Sequence, residues 1–262
     1  MKNIYVEAID HIPSPILAIG NSYSDGHVVA PHQHRRGQLI SCASGVIVVA
    51  TSAGAWVTPP QRGVWIPPAT MHEVRMLGAV SMQSLYLEPE TVPGLPERCQ
   101  VVGISPFMRG LMTEALDLPA EYGAESRGGA LMALIRHEMR RLAILPLALP
   151  YPTSAPLAAR CRAFVQQPHI HARIDEWSEA LGMSRRAFTR FFRAETGLSF
   201  VAWRQQACLM TALPRLAAGS SVTTVACDLG YDNPTAFTTM FKRTFGAPPL
   251  VYLKRRGEGS KA

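Results

Sequence analysis

Ile174-Asp175-Glu176-Trp177-Ser178-Glu179-Ala180-Leu181-Gly182-Met183-Ser184-Arg185-Arg186-Ala187-Phe188-Thr189-Arg190-Phe191-Phe192-Arg193 is echoed further on by Val222-Thr223-Thr224-Val225-Ala226-Cys227-Asp228-Leu229-Gly230-Tyr231-Asp232-Asn233-Pro234-Thr235-Ala236-Phe237-Thr238-Thr239-Met240-Phe241-Lys242-Arg243. Leu181-Gly182 returns as Leu229-Gly230, 48 positions on, while Phe188 and Phe192 return as Phe237 and Phe241, and Gly197 as Gly246, 49 positions on. The one-residue difference falls in the turn, where length can vary. In each copy the spacing predicts a short helix presenting Trp177 and Leu181, or Val225 and Leu229, to a core. A glycine free to take positive φ then makes a tight turn, and Ser184 or Asn233 caps a second helix. Phe188 and Phe192, four apart, hold that helix down by one face. The opposite face is left free. It carries Arg185, Arg186, Thr189, Arg190 and Arg193 in the first copy and Thr235, Thr238, Thr239, Lys242 and Arg243 in the second.

These side chains suit duplex DNA. Arginine can bond a guanine edge bidentately and threonine can meet a thymine methyl or a phosphate. Lys242 and Arg243, near the end of their helix, read as phosphate clamps, which position a protein without reading sequence. The charge agrees. Of the net +7, residues 1–154 hold 11 Lys/Arg against 12 Asp/Glu, and residues 155–262 hold 15 against 7. The whole positive excess lies in the C-terminal part, which predicts an anionic partner for that part alone.

Residues 156–256 resemble the DNA-binding domain of the AraC/XylS family of transcription regulators. Val225-Ala226, Leu229-Gly230-Tyr231, Phe237, Phe241-Lys242-Arg243, Gly246 and the ending Pro249-Leu250-Val251-Tyr252 carry the resemblance. It implies two recognition helices entering successive major-groove segments, joined by a long helix over about residues 199–216. It implies Arg186, Thr189 and Arg190 as base readers of the first unit, and Thr235, Thr238 and Thr239 as those of the second. Pro214 is expected to end or kink the joining helix early. Thr239 stands where many members carry arginine, so the first unit is expected to supply more of the specificity.

The rest of the chain reads differently. Residues 1–88 hold short apolar runs rich in Val, Ile, Thr and aromatics, punctuated by Gly45, Gly54, Pro59-Pro60, Gly63, Pro67-Pro68 and Gly78, which predicts a sandwich or barrel. Residues 88–100 read as a connector, and helical patterns follow over about 106–116 and 129–145, the second with Leu131, Leu134, Ile135, Met139 and Leu142 in a stripe. The expected organisation is a sensor barrel over 1–104, a helical dimerisation segment over 105–145, a proline-rich linker over 146–156 and the DNA-binding domain over 157–256. The fold class is α+β in two domains, a cupin β-barrel (jelly roll) with appended helices and an all-α domain with two helix-turn-helix units.

The barrel expectation rests on a second resemblance. Gly26, His32, His34, Gln38 and Gly45 resemble the first cupin motif with Gln for the usual Glu. Pro67, Ala69 and His72 resemble the second, with Ala for Gly. The resemblance implies His32, His34, Gln38 and His72 as metal ligands, with His32 and His34 alternating on one strand so that both face inward. Three imidazoles suit a borderline divalent ion such as zinc, nickel, iron or manganese, and a neutral Gln lowers affinity without excluding it. A polar site for an organic ligand is the alternative. Trp56, Trp65, Met71, Met82 and Tyr86 are candidate mouth-lining residues, and Arg35-Arg36 read as a solvated turn.

Five scattered cysteines with no CxxC pair speak against a disulfide frame or zinc knuckle. No stretch of 18 apolar residues is present, so no membrane partner is expected, and the first residues lack the long apolar segment of a signal peptide. The expected protein is a cytoplasmic, homodimeric, DNA-binding regulator without catalytic residues. A small-molecule effector and RNA polymerase are candidate partners, and activation is the expected mode. The rival is a metal-dependent cupin dioxygenase or isomerase with a basic helical appendage.

Overall fold

A computed structural model describes residues 10–58, 62–145 and 148–254. The reading of the first nine residues, Pro59-Pro60, part of the 146–156 linker and the last residues of the 157–256 domain lie outside them. Two compact units form, one of residues up to Ser52 and Trp56–Ala148, the other of Ala53–Ala55 and Leu149 onward.

The first unit is built on strands β1 (Ile16–Tyr23), β2 (Val28–His32), β3 (Gly37–Thr51), β4 (Gly54–Thr58), β5 (Arg62–Ile66), β6 (His72–Leu87), β7 (Gln100–Gly103) and β8 (Ile144–Leu145). Their order in the sheet is β1-β6-β3-β5-β7-β8, with β2 also on β6 and β4 on β3. The registers of β1–β6, β2–β6, β3–β5, β3–β6, β5–β7 and β7–β8 are all antiparallel. β3 and β6 pair almost end to end, from Gly37 with Leu87 to Ala50 with Glu73, and the register slips on either side of Ser44. Gly45 at φ 71° makes that irregularity possible. A Cβ there would stand 2.6 Å from a Val80 methyl and 2.8 Å from Ala79 O. Such bulges bend a strand and curl a sheet toward closure.

Alternation then sorts side chains to two faces. Leu39, Leu85, Leu87, Ile16 and Trp65 face a core shared with Met108, Leu111 and Met112 of α1 (Pro106–Ala115) and Leu131, Ile135 and Met139 of α2 (Arg127–Met139). On β1 and β6, the neighbouring positions Leu17, Ile19 and Tyr86 pack in a separate cluster. The expected second helix therefore starts two residues earlier and stops six residues sooner than its pattern, because Ile144–Leu145 leave it to pair with β7. In the predicted stripe, Leu131, Ile135 and Met139 are buried and Leu134 is exposed.

The second unit holds β9 (Ala148–Pro150) and the helices α3 (Ala155–Gln166), α4 (Ile174–Ala180), α5 (Arg185–Thr196), α6 (Phe200–Ala217), α7 (Val222–Asp228), α8 (Pro234–Phe245) and α9 (Pro249–Lys254). β9 and the start of α3 fall within the stretch read as linker. The two sequence copies become two helix pairs of identical lengths, 7 and 12 residues each. Phe188, Phe192, Phe237 and Phe241 are fully buried. In the first copy they join Trp177, Phe200 and Trp203, with Trp177 and Phe200 ring centroids 5.0 Å apart. Pro214 does not end α6 early. It sits in the last turn, where its missing N–H removes a single ladder bond, and the helix runs on to Ala217 with Ala218 N–H donating to Pro214 O at 2.9 Å.

Candidate nucleic-acid interface and effector site

Each recognition helix is started by its own side chain. Ser184 Oγ accepts from Ala187 N–H at 3.3 Å and Asn233 Oδ1 from Ala236 N–H at 2.8 Å. Gly182 and Gly230 turn the chain at φ 64° and 77°, and Gly197 and Gly246 close the helices in the left-handed region. Burial of Phe188 and Phe192 fixes the rotation of α5, so Arg185, Arg186, Thr189, Arg190 and Arg193 are exposed. Thr235, Thr239, Lys242 and Arg243 are exposed on α8, and Thr238 is half-buried.

The exposed groups are not equivalent. Arg185 is 3.5 Å from the Asp175 carboxylate and is partly committed to the preceding helix. Thr189 donates its hydroxyl to Arg185 O at 2.8 Å. Arg186, Arg190 and Arg193 take no carboxylate partner among the described residues.

In the first unit, His32, His34 and His72 bring a ring nitrogen each to within 4.8 Å of one another. The route differs from the expected one. His32 ends β2, and His34 lies beyond it in the turn before β3, so the two do not share a strand. What orients the rings is the backbone. His32 Nδ1 faces Ala30 O at 2.9 Å, His34 Nδ1 faces Arg36 O at 2.5 Å, and His72 Nδ1 faces Thr70 O at 2.8 Å. A carbonyl only accepts, so each Nδ1 carries a hydrogen. His72 Nε2 is buried without a partner. His34 Nε2 stands 3.0 Å from Gln38 Oε1, within hydrogen-bond distance. The donor set fits a borderline divalent cation.

Burial lowers the His72 pKa to about 4, helped by the neighbouring His32 and His34, and burial also lowers that of His32. Both rings are therefore neutral near pH 7, as ligands must be. Two features had no motif to announce them. Tyr86 and Ser84 hold the Gln38 amide, at 2.8 and 3.2 Å. Arg36, expected in solvent, is fully buried, donating to Ser14 O and Ile12 O and pairing with Glu88 at 2.7 Å. The charge is tolerated because these acceptors and a carboxylate surround it. Arg35 pairs with Glu88 as well. Of the residues proposed for the mouth, Trp65 instead packs in the helix-covered core and Met71 is exposed. Among the described residues no helix is long and apolar enough to cross a membrane.

The helix-turn-helix domain of known families matches residues 177–255, and the AraC-like ligand binding domain matches residues 16–167. The chain is 34% identical over 224 residues to the HTH-type transcriptional regulator NimR of Escherichia coli (strain K12), covering 86% of this chain and 82% of NimR. The chain belongs to the AraC family of transcriptional regulators. As an AraC-type regulator it binds DNA and carries a ligand-binding domain. It is also 34% identical over 105 residues to the HTH-type transcriptional regulator RipA of Corynebacterium glutamicum, covering 38% of this chain and 31% of RipA. Among solved structures, ToxT of Vibrio cholerae bound to an unsaturated fatty acid matches at 10% identity and TM-score 0.39, covering 94% and 98% of the two chains. The DNA-binding domain of AdpA in complex with a target DNA matches at 28% identity and TM-score 0.38, covering 42% of this chain and all of that one.

Proposed function

We propose that this AraC-family regulator reads its operator mainly through α5, and that the cluster of His32, His34, His72 and Gln38 holds the effector or a divalent metal that takes part in effector binding. The observation that carries the first part is the pairing of two fully buried phenylalanines, Phe188 and Phe192, with three uncommitted arginines on the opposite side of the same helix. Arg186, Thr189 and Arg190 are the base readers there. Thr235, Thr238 and Thr239 read from α8. Arg185, Arg193, Lys242 and Arg243 hold phosphates. Half-burial of Thr238 and the absence of a cation before Lys242 make α8 the weaker reader.

The second part is supported by three imidazoles whose ring nitrogens converge within 4.8 Å and by the unpartnered, buried Nε2 of His72. A zinc, nickel, iron or manganese ion would be held by these three nitrogens and the Gln38 amide oxygen. Once bound it would supply a Lewis-acidic anchor for an oxygen- or nitrogen-bearing effector. No catalysis is proposed. Helices α1 and α2, with Phe107 and Leu134 exposed, serve as the homodimer surface of segment 105–145. The protein works in the cytoplasm, where a homodimer engages the promoter, contacts RNA polymerase and activates transcription. An effector acts only through a difference in its affinity for two arrangements.

Genome-wide mapping of bound sites, followed by gel-shift titration on the recovered operator, tests this reading. Arg190→Ala is expected to abolish site-specific binding. His72→Ala is expected to keep DNA binding and lose the response. Full affinity and preference in Arg190→Ala would refute the placement of the first reading helix.

A further inference from the structure

A cavity of about 600 Å³ lies against the outer edge of β1, walled by the end of α1, the 116–122 connector and Met132 of α2. Its floor is a strand edge whose outward hydrogen-bonding groups meet no further strand among the described residues. Pro15 O accepts from Glu88 N–H, and the register pairs Ile16 with Leu87 through Tyr23 with Val80. In an antiparallel ladder, successive residues point their N–H and C=O groups to alternate sides. The odd-numbered residues of β1 therefore address β6, and Ile16, Ala18 and Gly20 address the outer edge. Tyr122 shows the same thing independently. Its hydroxyl accepts from Ile16 N–H at 3.2 Å and donates to Ile16 O at 2.9 Å, standing where the next strand would be. Among the described residues no strand lies beyond β1. The N–H and C=O groups of Ala18 and Gly20 thus open onto the cavity beside apolar walls that include Leu116, Leu118 and Met132.

We propose that this cavity is a second ligand site of the sensor unit, separate from the histidine cluster. It takes a neutral small molecule with an apolar body and an amide-like donor–acceptor pair, bound to Ala18 and Gly20 as Tyr122 is bound to Ile16. Three observations select this occupant. The volume is that of small-molecule sites. Among the described residues the edge is free over only two outward-facing residues of the lining and is walled by the connector, which suits a compact molecule rather than a strand from a second copy. Asp117 is the lining's one ionisable acid and no Lys, Arg or His joins it, so an anion finds no partner. The occupant would touch sheet and helices together, through Gln83 on one side and Thr113 and Met132 on the other. Binding is read without DNA, so failure here leaves the proposed reading of α5 and α8 standing.

The test uses the full chain and Nile red, a neutral apolar dye with a carbonyl acceptor, displaced by the neutral amide benzanilide or by the anion 2-naphthoate. One saturable site is expected, emptied by benzanilide and not by equal 2-naphthoate. Ala18→Pro removes an outward N–H without touching the β6 ladder, as edge strands tolerate, and Thr113→Trp fills the cavity from its exposed rim. Each is expected to weaken the dye about tenfold, the worth of one such contact, while His72→Ala leaves it unchanged. Unchanged affinity in both variants, or equal displacement by the anion, would overturn the proposal. So would a wild-type dimer that binds no dye and becomes a monomer in Ala18→Pro, which would give the edge to a second copy.

Discussion

Glu195 Oε2 stands 2.8 Å from the backbone nitrogen of Ser154 and equally close to the backbone nitrogen and hydroxyl of Thr153. Ser154 is the N-cap of α3 but makes no capping bond with its own side chain. A carboxylate from the last turn of α5 does the work instead, where the exposed N–H groups and positive end of a helix favour an anion. Helix α5 is thereby tied to the start of its own unit.

These bonds hold the Glu195 pKa below its ordinary 4.5. The folded state therefore prefers the ionised form more than the unfolded state does. The contribution is fully present above about pH 4.5 and is lost as pH falls through the lowered folded-state value. Urea unfolding of the wild type and Glu195→Gln between pH 3 and 7 is expected to show a stability gap that narrows in acid. A gap that stays constant would mean that the charge is irrelevant.

Gly37→Ala is expected to destabilise the first unit by about 1–3 kcal/mol, as overpacking does. The added Cβ would lie 2.2 Å from Trp65 Cη2. That ring cannot swing away, because its Nε1 donates to Pro96 O at 2.8 Å and its face is buried in the helix-covered core. Gly110→Ala in α1 meets nothing within 4 Å and is expected to be neutral or stabilising by up to about 1 kcal/mol. The midpoints of denaturant unfolding compare the two.

Ser184→Ala and Asn233→Ala each remove one cap and should each cost about 1 kcal/mol. Because the caps serve different helix pairs, the double variant should show additive losses. A double-variant loss well below the sum would mean that the two helix pairs share one start signal.

Lys242→Ala should weaken binding to operator and to unrelated duplex alike and lower the salt slope by about one. A loss confined to the operator would make Lys242 a base reader.

Zinc or nickel titration followed by calorimetry should give one site that His72→Ala weakens by more than about tenfold. Gln38→Glu should tighten it, since a carboxylate is a stronger donor and Tyr86 and Ser84 can donate to it. Unaltered heats in His72→Ala would remove the histidines from metal binding.

The helix-turn-helix repeat was legible because its causes are local. Caps act over three residues, phenylalanines four apart share a face, and a glycine at each turn permits a conformation that depends on no distant partner. The histidine cluster was legible as residue types, yet its orientation was not. His34 joins it from a turn, and carbonyls of the neighbouring backbone set its tautomers. The expected length of α2 failed for the same reason, since β7 claims Ile144–Leu145 across the sheet.

By itself, then, the order of residues determined the two recognition helices, the charge division and the family, all written in short-range periodicity. The burial of Arg36 against Ser14 and Glu88, the Glu195 cap on α3 and the Tyr122 hydroxyl on the edge of β1, 106 residues from its partner, were decided only by the tertiary structure. A polar group removed from water must find whichever partner the packed chain brings to it, and nothing in the spacing of neighbours says which one that is.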